Sequence, residues 1–113
     1  MLQEILEANG FEAHSICCKV RTIPKEDVGL RDADKIQPGA FEPLCNPVGQ
    51  AEMLKQVGTQ LNIVGGLCVG HDSLFFRHSA APVTVLVAKD RVTGHNPVGA
   101  LYTSNSYYRR LKP

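Results

Sequence analysis

The chain has 113 residues, a formal net charge of +1, 43% hydrophobic and 20% charged residues, and no tryptophan. These values describe a single globular domain, residues 1–113, able to bury a core but a thin one. They give no electrostatic argument for nucleic acid or an anionic membrane as partner, the apolar stretches are too short to span a bilayer, and no export signal opens the chain, so a cytoplasmic location is expected.

In chain order, residues 2–10 read as the end of a helix: Leu2, Ile5 and Leu6 share a face, and Gly10 suits the left-handed position after it. Phe11 to Val20 reads as a strand closing near Cys17 and Cys18. Residues 21–45 hold Pro24, Gly29, Pro38, Gly39 and Pro43 among scattered charges, without either period, and are expected to form a long irregular loop, either a binding loop or a plain surface excursion.

Val48, Ala51, Leu54 and Val57 then fall at helical spacing. Asn46 is placed to cap, Pro47 to start and Gly58 to stop that helix. Leu61 to Val69 is a continuous apolar run, predicted as a strand buried on both faces. Asp72 and Ser73 open a short helix to about Ser79, in which Phe75 and Phe76 are expected in the core. Val83 to Ala88 is a further strand, ending at Lys89, Asp90 and Arg91. Asn96-Pro97 opens another helix, and Ser106 to Leu111 is predicted as a last one. Strands alternating with helices predict a small, mainly parallel sheet flanked by helices in a Rossmann-like three-layer arrangement.

Four cysteines, Cys17, Cys18, Cys45 and Cys68, and two of the four histidines, His71 and His95, lie at predicted strand ends or just before predicted helices. Ligands of open parallel sheets bind at the carboxyl edge of the strands, so these residues are expected to share one rim. Thiolate and imidazole both suit zinc, and thiolates suit iron–sulfur clusters. The Cys68 to His71 spacing supplies one chelating pair, and Cys45 with either Cys17 or Cys18 would extend it. If a strand runs through the cysteine pair, Cys17 and Cys18 face opposite ways and only one can join. Taken singly, each cysteine reads more readily as a small core residue than as a ligand.

Two other chemistries fit the same residues. Cys45 before a helix N-terminus, or Cys68 with His71 as base, would serve a thiol-dependent enzyme. Lys89, Asp90 and Arg91, with the flexible Gly65-Gly66 backbone and the cap residues Asn46 and Asn96, would suit a small anionic ligand. A non-catalytic module with cysteines in its core is a third possibility, and the thin core leaves a homo-oligomer open. One local echo joins these features: Cys45-Asn46-Pro47-Val48-Gly49 recurs as His95-Asn96-Pro97-Val98-Gly99.

Longer blocks carry a family resemblance. Gly66 to Phe75, Ala81 to Thr84, Lys89 to Val92 and Gly94 to Pro97, together with Ser15 to Val20, Ile23 to Lys25 and Cys45 to Glu52, resemble an uncharacterised prokaryotic family usually labelled "metal-binding protein". The resemblance implies a bound metal but no reaction. By motif match it carries over Cys17, Cys18, Cys45, Cys68, His71 and His95. Members typically have a further cysteine-rich segment upstream, so the resemblance also implies that this chain is a fragment or a shortened member.

Overall fold

The computed structural model describes residues 1–112. Its centre is a helix whose start and stop were legible in the sequence. Helix α2 spans Pro47–Val57, with the Asn46 side chain accepting from the Gly49 N–H at 2.8 Å and Gly58 in the left-handed conformation (φ 80°) at its end. Helix α4, Pro97–Tyr102, repeats the same start, with Asn96 at nearly the same backbone angles and its side chain accepting from the Gly99 N–H at 2.9 Å. The glycines of the two Asn-Pro-Val-Gly motifs have a steric reason. A Cβ at Gly49 would lie 2.5 Å from the Asn46 amide nitrogen, and one at Gly99 2.6 Å from that of Asn96. The echo is therefore a capping device in which the third helical residue must leave room for the asparagine folded over it.

Strands β1, Asn62–Cys68, and β2, Val83–Lys89, form a two-stranded parallel sheet, joined across by helix α3, His71–His78. Ala51 of α2, Val64 and Leu67 of β1 and Phe75 of α3 make the core, with Cys18, Leu54 and Val83 packed against it. The mixed α/β class with a parallel sheet is as expected. The three-layer arrangement is not: α2 and α3 meet β1 through that cluster, whereas α4 adds only Ala100 to the buried set, and Ile63 and Leu86 stay exposed. Nor is β1 buried on both faces. Asn62, Val64 and Leu67 are buried while Ile63, Gly65 and Gly66 are exposed, because a single helix layer covers one face of the pleat. The same geometry separates the two phenylalanines, Phe75 at 3% exposure and Phe76 at 42%.

Two further expectations are corrected. The strand over residues 11–20 does not form. Its backbone groups are committed elsewhere: the Ile16 carbonyl accepts from the Gln50 side chain at 2.8 Å and the Cys18 carbonyl from the Asn46 N–H at 2.7 Å, which ties the segment to the start of α2 instead of to a ladder. The tail forms only a single 3-10 turn, Arg109–Leu111, beside an edge-on Tyr107–Tyr108 pair. Helix α1, Leu2–Ala8, buries no residue.

The region 21–45 is irregular, as its composition predicted, but it is internally tied. It contains short 3-10 turns at Lys25–Val28 and Asp32–Asp34 and a Pro24–Pro43 bridge. Lys25 pairs with Glu42, and Lys35, its side chain 4% exposed, pairs with Glu26 and Asp32. Lys25 holds the Glu42 carboxyl below its ordinary range, and Lys35 does the same for Glu26. Among the described residues no helix is long and apolar enough to cross a membrane.

Two outcomes follow from these contacts. Asn46→Ala removes a satisfied cap and lowers stability by about 1 kcal/mol in denaturant unfolding, and Gly49→Ala is destabilising despite alanine's better helix propensity, because the new methyl collides with the cap. A carboxylate with a depressed pKa stabilises the fold above its ordinary value and loses that contribution as pH falls through the lowered one. Backbone amides of residues 25–42 are thus expected to lose hydrogen-exchange protection on acidification through that range while those of α2 retain theirs.

Candidate functional site

The structure brings two of the candidate residues into contact. The Cys45 Sγ lies 3.9 Å from the Cys18 Sγ, and both cysteines are half-buried and free. Residues 18–25 run antiparallel to residues 42–46, stitched by the Asn46 N–H to Cys18 carbonyl bond, by Leu44 N–H to the Ile23 carbonyl at 2.8 Å, and by Lys25 N–H to the Glu42 carbonyl at 3.3 Å. The Lys19 ammonium donates to the Pro43 carbonyl. Cys18 is thereby held opposite Cys45, one residue before the cap of α2. Burial, then the adjoining Cys45 thiol, pushes the Cys18 thiol above its ordinary pKa, against a smaller opposing effect of Lys19.

Cys17 is exposed whereas Cys18 packs against the core, a difference that strand alternation does not explain, since no strand runs through the pair. Cys68 closes β1 and is in register with Lys89. His71 begins α3 with its Nδ1 buried and without a hydrogen-bond partner, so this nitrogen is not engaged with the Cys68 thiol as a base. Asp72 accepts from the Gly70 and Ser73 N–H groups, both at 2.9 Å, and shapes that corner. Asn46 and Asn96, candidates for ligand contact, have their side-chain oxygens occupied by the helix caps. Arg91 is exposed.

His95 is held in a distinct way. Its Nδ1 accepts from the Asp90 N–H at 3.0 Å while its own N–H donates to the Asp90 carbonyl at 2.8 Å. An Nδ1 that accepts leaves the ring proton on Nε2, whereas a metal-bound histidine needs a bare ring nitrogen and usually donates from the other. As placed, His95 is a hydrogen-bond donor. Asp90 spends its carboxylate within its own turn, on the Val92 N–H at 2.9 Å, the Thr93 N–H and the Thr93 hydroxyl, and the Thr93 hydroxyl above all holds its carboxyl below the usual range.

The six candidate metal ligands therefore separate into the exposed Cys17, the Cys18–Cys45 thiol pair at the head of α2, the Cys68–His71 corner, and His95 in its turn with Asp90. Among the described residues no three His, Cys, Asp or Glu side chains come together as a metal site. The Cys18–Cys45 approach had no spacing signal to reveal it, since 27 residues separate the two.

These features belong to an α/β domain with a thiol pair beside a parallel two-stranded sheet. The family described as protein of unknown function, DUF1847, matches residues 1–86, and the chain belongs to that family. It is also similar to the uncharacterized protein MJ0455 of Methanocaldococcus jannaschii, at 49% identity over 108 residues covering 96% of this chain and 53% of that protein. The chain thus spans about half the length of this relative. No solved structure matches.

The raised Cys18 pKa and the exposure of Cys17 set an order of reactivity. At about pH 8, near the ordinary thiol pKa, iodoacetamide is expected to modify Cys17 well before Cys18, with Cys18 labelling rising steeply only at higher pH. Peptide mapping by mass spectrometry reads both rates, and equal rates would show that Cys18 is not buried against Cys45.

Proposed function

We propose that this protein binds a soft metal, zinc or an iron–sulfur centre, through the Cys18–Cys45 thiol pair. The observation that carries this reading is the sulfur separation of 3.9 Å. Two thiolates at zinc–sulfur bonds of about 2.3 Å define a tetrahedral edge of about 3.8 Å. The pair matches that edge with no movement of the backbone, and it sits partly shielded from water beside the core. It supplies two of the four ligands of a tetrahedral site. Cys68, His71 and Cys17 take no part in this reading.

A thiol-dependent enzyme using Cys45 or Cys68 fits the geometry less well. A nucleophilic thiol needs a lowered pKa or a base within hydrogen-bond reach, and the group beside Cys45 is a second thiol whose own pKa is raised.

Metal binding must displace the thiol protons, so affinity rises with pH. On titration of the reduced protein with zinc, Cys18 and Cys45 are expected to become protected together from alkylation while Cys17 stays reactive. Cobalt in place of zinc would add a thiolate charge-transfer absorption that Cys18→Ser and Cys45→Ser each abolish and Cys68→Ser leaves intact. All four thiols remaining reactive in excess zinc would overturn the proposal.

A further inference from the structure

The carboxyl end of the sheet carries a second feature that the thiol pair does not explain. Between β1 and β2 the register slips twice around Gly65 and Gly66. Gly66 adopts a left-handed φ of 79°, and no atom lies within 4 Å of where its Cβ would stand. The slip opens a shallow cavity of about 320 Å³ lined by Gly66, Val87, Lys89 and His95, a volume at the lower end of the range of small-molecule sites. It lies where open parallel sheets receive ligands, at the ends of the strands.

The lining has one electrostatic sense. Lys89 makes no ion pair among the described residues. The Asp90 bond fixes His95 as the Nε2–H tautomer, which offers a second donor and withholds the lone pair a cation would need. The Asp90 carboxylate, next in the chain to Lys89, keeps its charge but turns it to the Val92 and Thr93 donors of its own turn and is not among the lining residues. His95 also stands at φ 63°, one of few non-glycine residues in the left-handed region. Such a conformation is strained for a residue with a Cβ and tends to persist at ligand sites. His95 lines the cavity, and its two hydrogen bonds to Asp90 maintain this conformation.

The geometry points to a site for a small oxyanion, the phosphate group of a phosphomonoester, held by the Lys89 ammonium and the His95 Nε2–H, with the open Gly66 backbone leaving space for its approach. The site is independent of the thiol pair, and its failure would leave the metal reading untouched.

Two probes distinguish the sources of the phosphate: inorganic phosphate and ribose 5-phosphate, each titrated into the ¹⁵N-labelled protein with metal absent. Saturable shifts centred on the amides of Gly66, Lys89 and His95 are expected. Tighter binding of the ester would assign the cavity to a phosphorylated small molecule, and equal binding would assign it to the phosphate alone; both uphold an oxyanion site. Lys89→Met is expected to weaken binding about tenfold or more, the scale of one charge-assisted hydrogen bond. His95→Gly removes the donor while relieving the positive φ, so it should lose binding while the spectrum of the core remains that of the folded protein. No saturable shift with either probe, or shifts that survive both substitutions in folded protein, would overturn the site, as would zinc shifting His95 where phosphate does not.

Discussion

The junction at Asn46 holds the structure together. Its N–H donates to the Cys18 carbonyl and its side chain caps α2, so one residue both starts the central helix and fastens the irregular N-terminal half to it. Both bonds satisfy backbone groups that an open helix end and an unpaired segment would otherwise leave without partners. Once that junction is made, Gln50, one turn into α2, reaches back to the Ile16 carbonyl, Ala51 turns into the core, and Cys18 arrives opposite Cys45. The thiol pair is a consequence of the cap.

Around this junction the core is small. Ala51, Val64, Leu67, Phe75 and Ala100 are its buried hydrophobic members among the described residues, while Leu86, Leu101 and Tyr102 are exposed. The radius of gyration is 17.1 Å, where a compact chain of this length would have roughly 13 Å. With so little burial, local devices carry more of the order than usual: two identical asparagine caps, the ion pairs within residues 21–45, and the Asp90–His95 turn. Each satisfies polar groups within a few residues and needs little core beneath it.

The two proposed sites call for opposite chemistries and use different parts of the fold. The thiol pair is half-buried and the Cys18 pKa is raised, so binding of a metal there, as proposed, would have to displace a proton. The Lys89–His95 cavity is shallow, and the polar side chains that line it are an ammonium and an imidazole whose Nδ1 already accepts from the Asp90 N–H. An expectation that placed the cysteines with His71 and His95 on one rim merges these, because it reads element order without the side-chain bonds that fix each ring and thiol.

What the sequence determined by itself was local. Asn-Pro starts, a glycine stop and apolar runs place α2, β1, β2 and the start of α4 nearly to the residue, because capping and local apolar patterning act over a few positions and are written in adjacent side chains. The irregularity of residues 21–45 was equally legible from its prolines and glycines. Tertiary structure decided the rest. Residues 11–20 alternate well enough for a strand, but a strand needs a partner, and their carbonyls found α2 first. The 3.9 Å approach of Cys18 to Cys45 spans 27 residues and depends on how two segments without regular structure pair, which no period encodes. The tautomer of His95 was likewise set by a backbone N–H five residues away, a contact that exists only after the turn has closed.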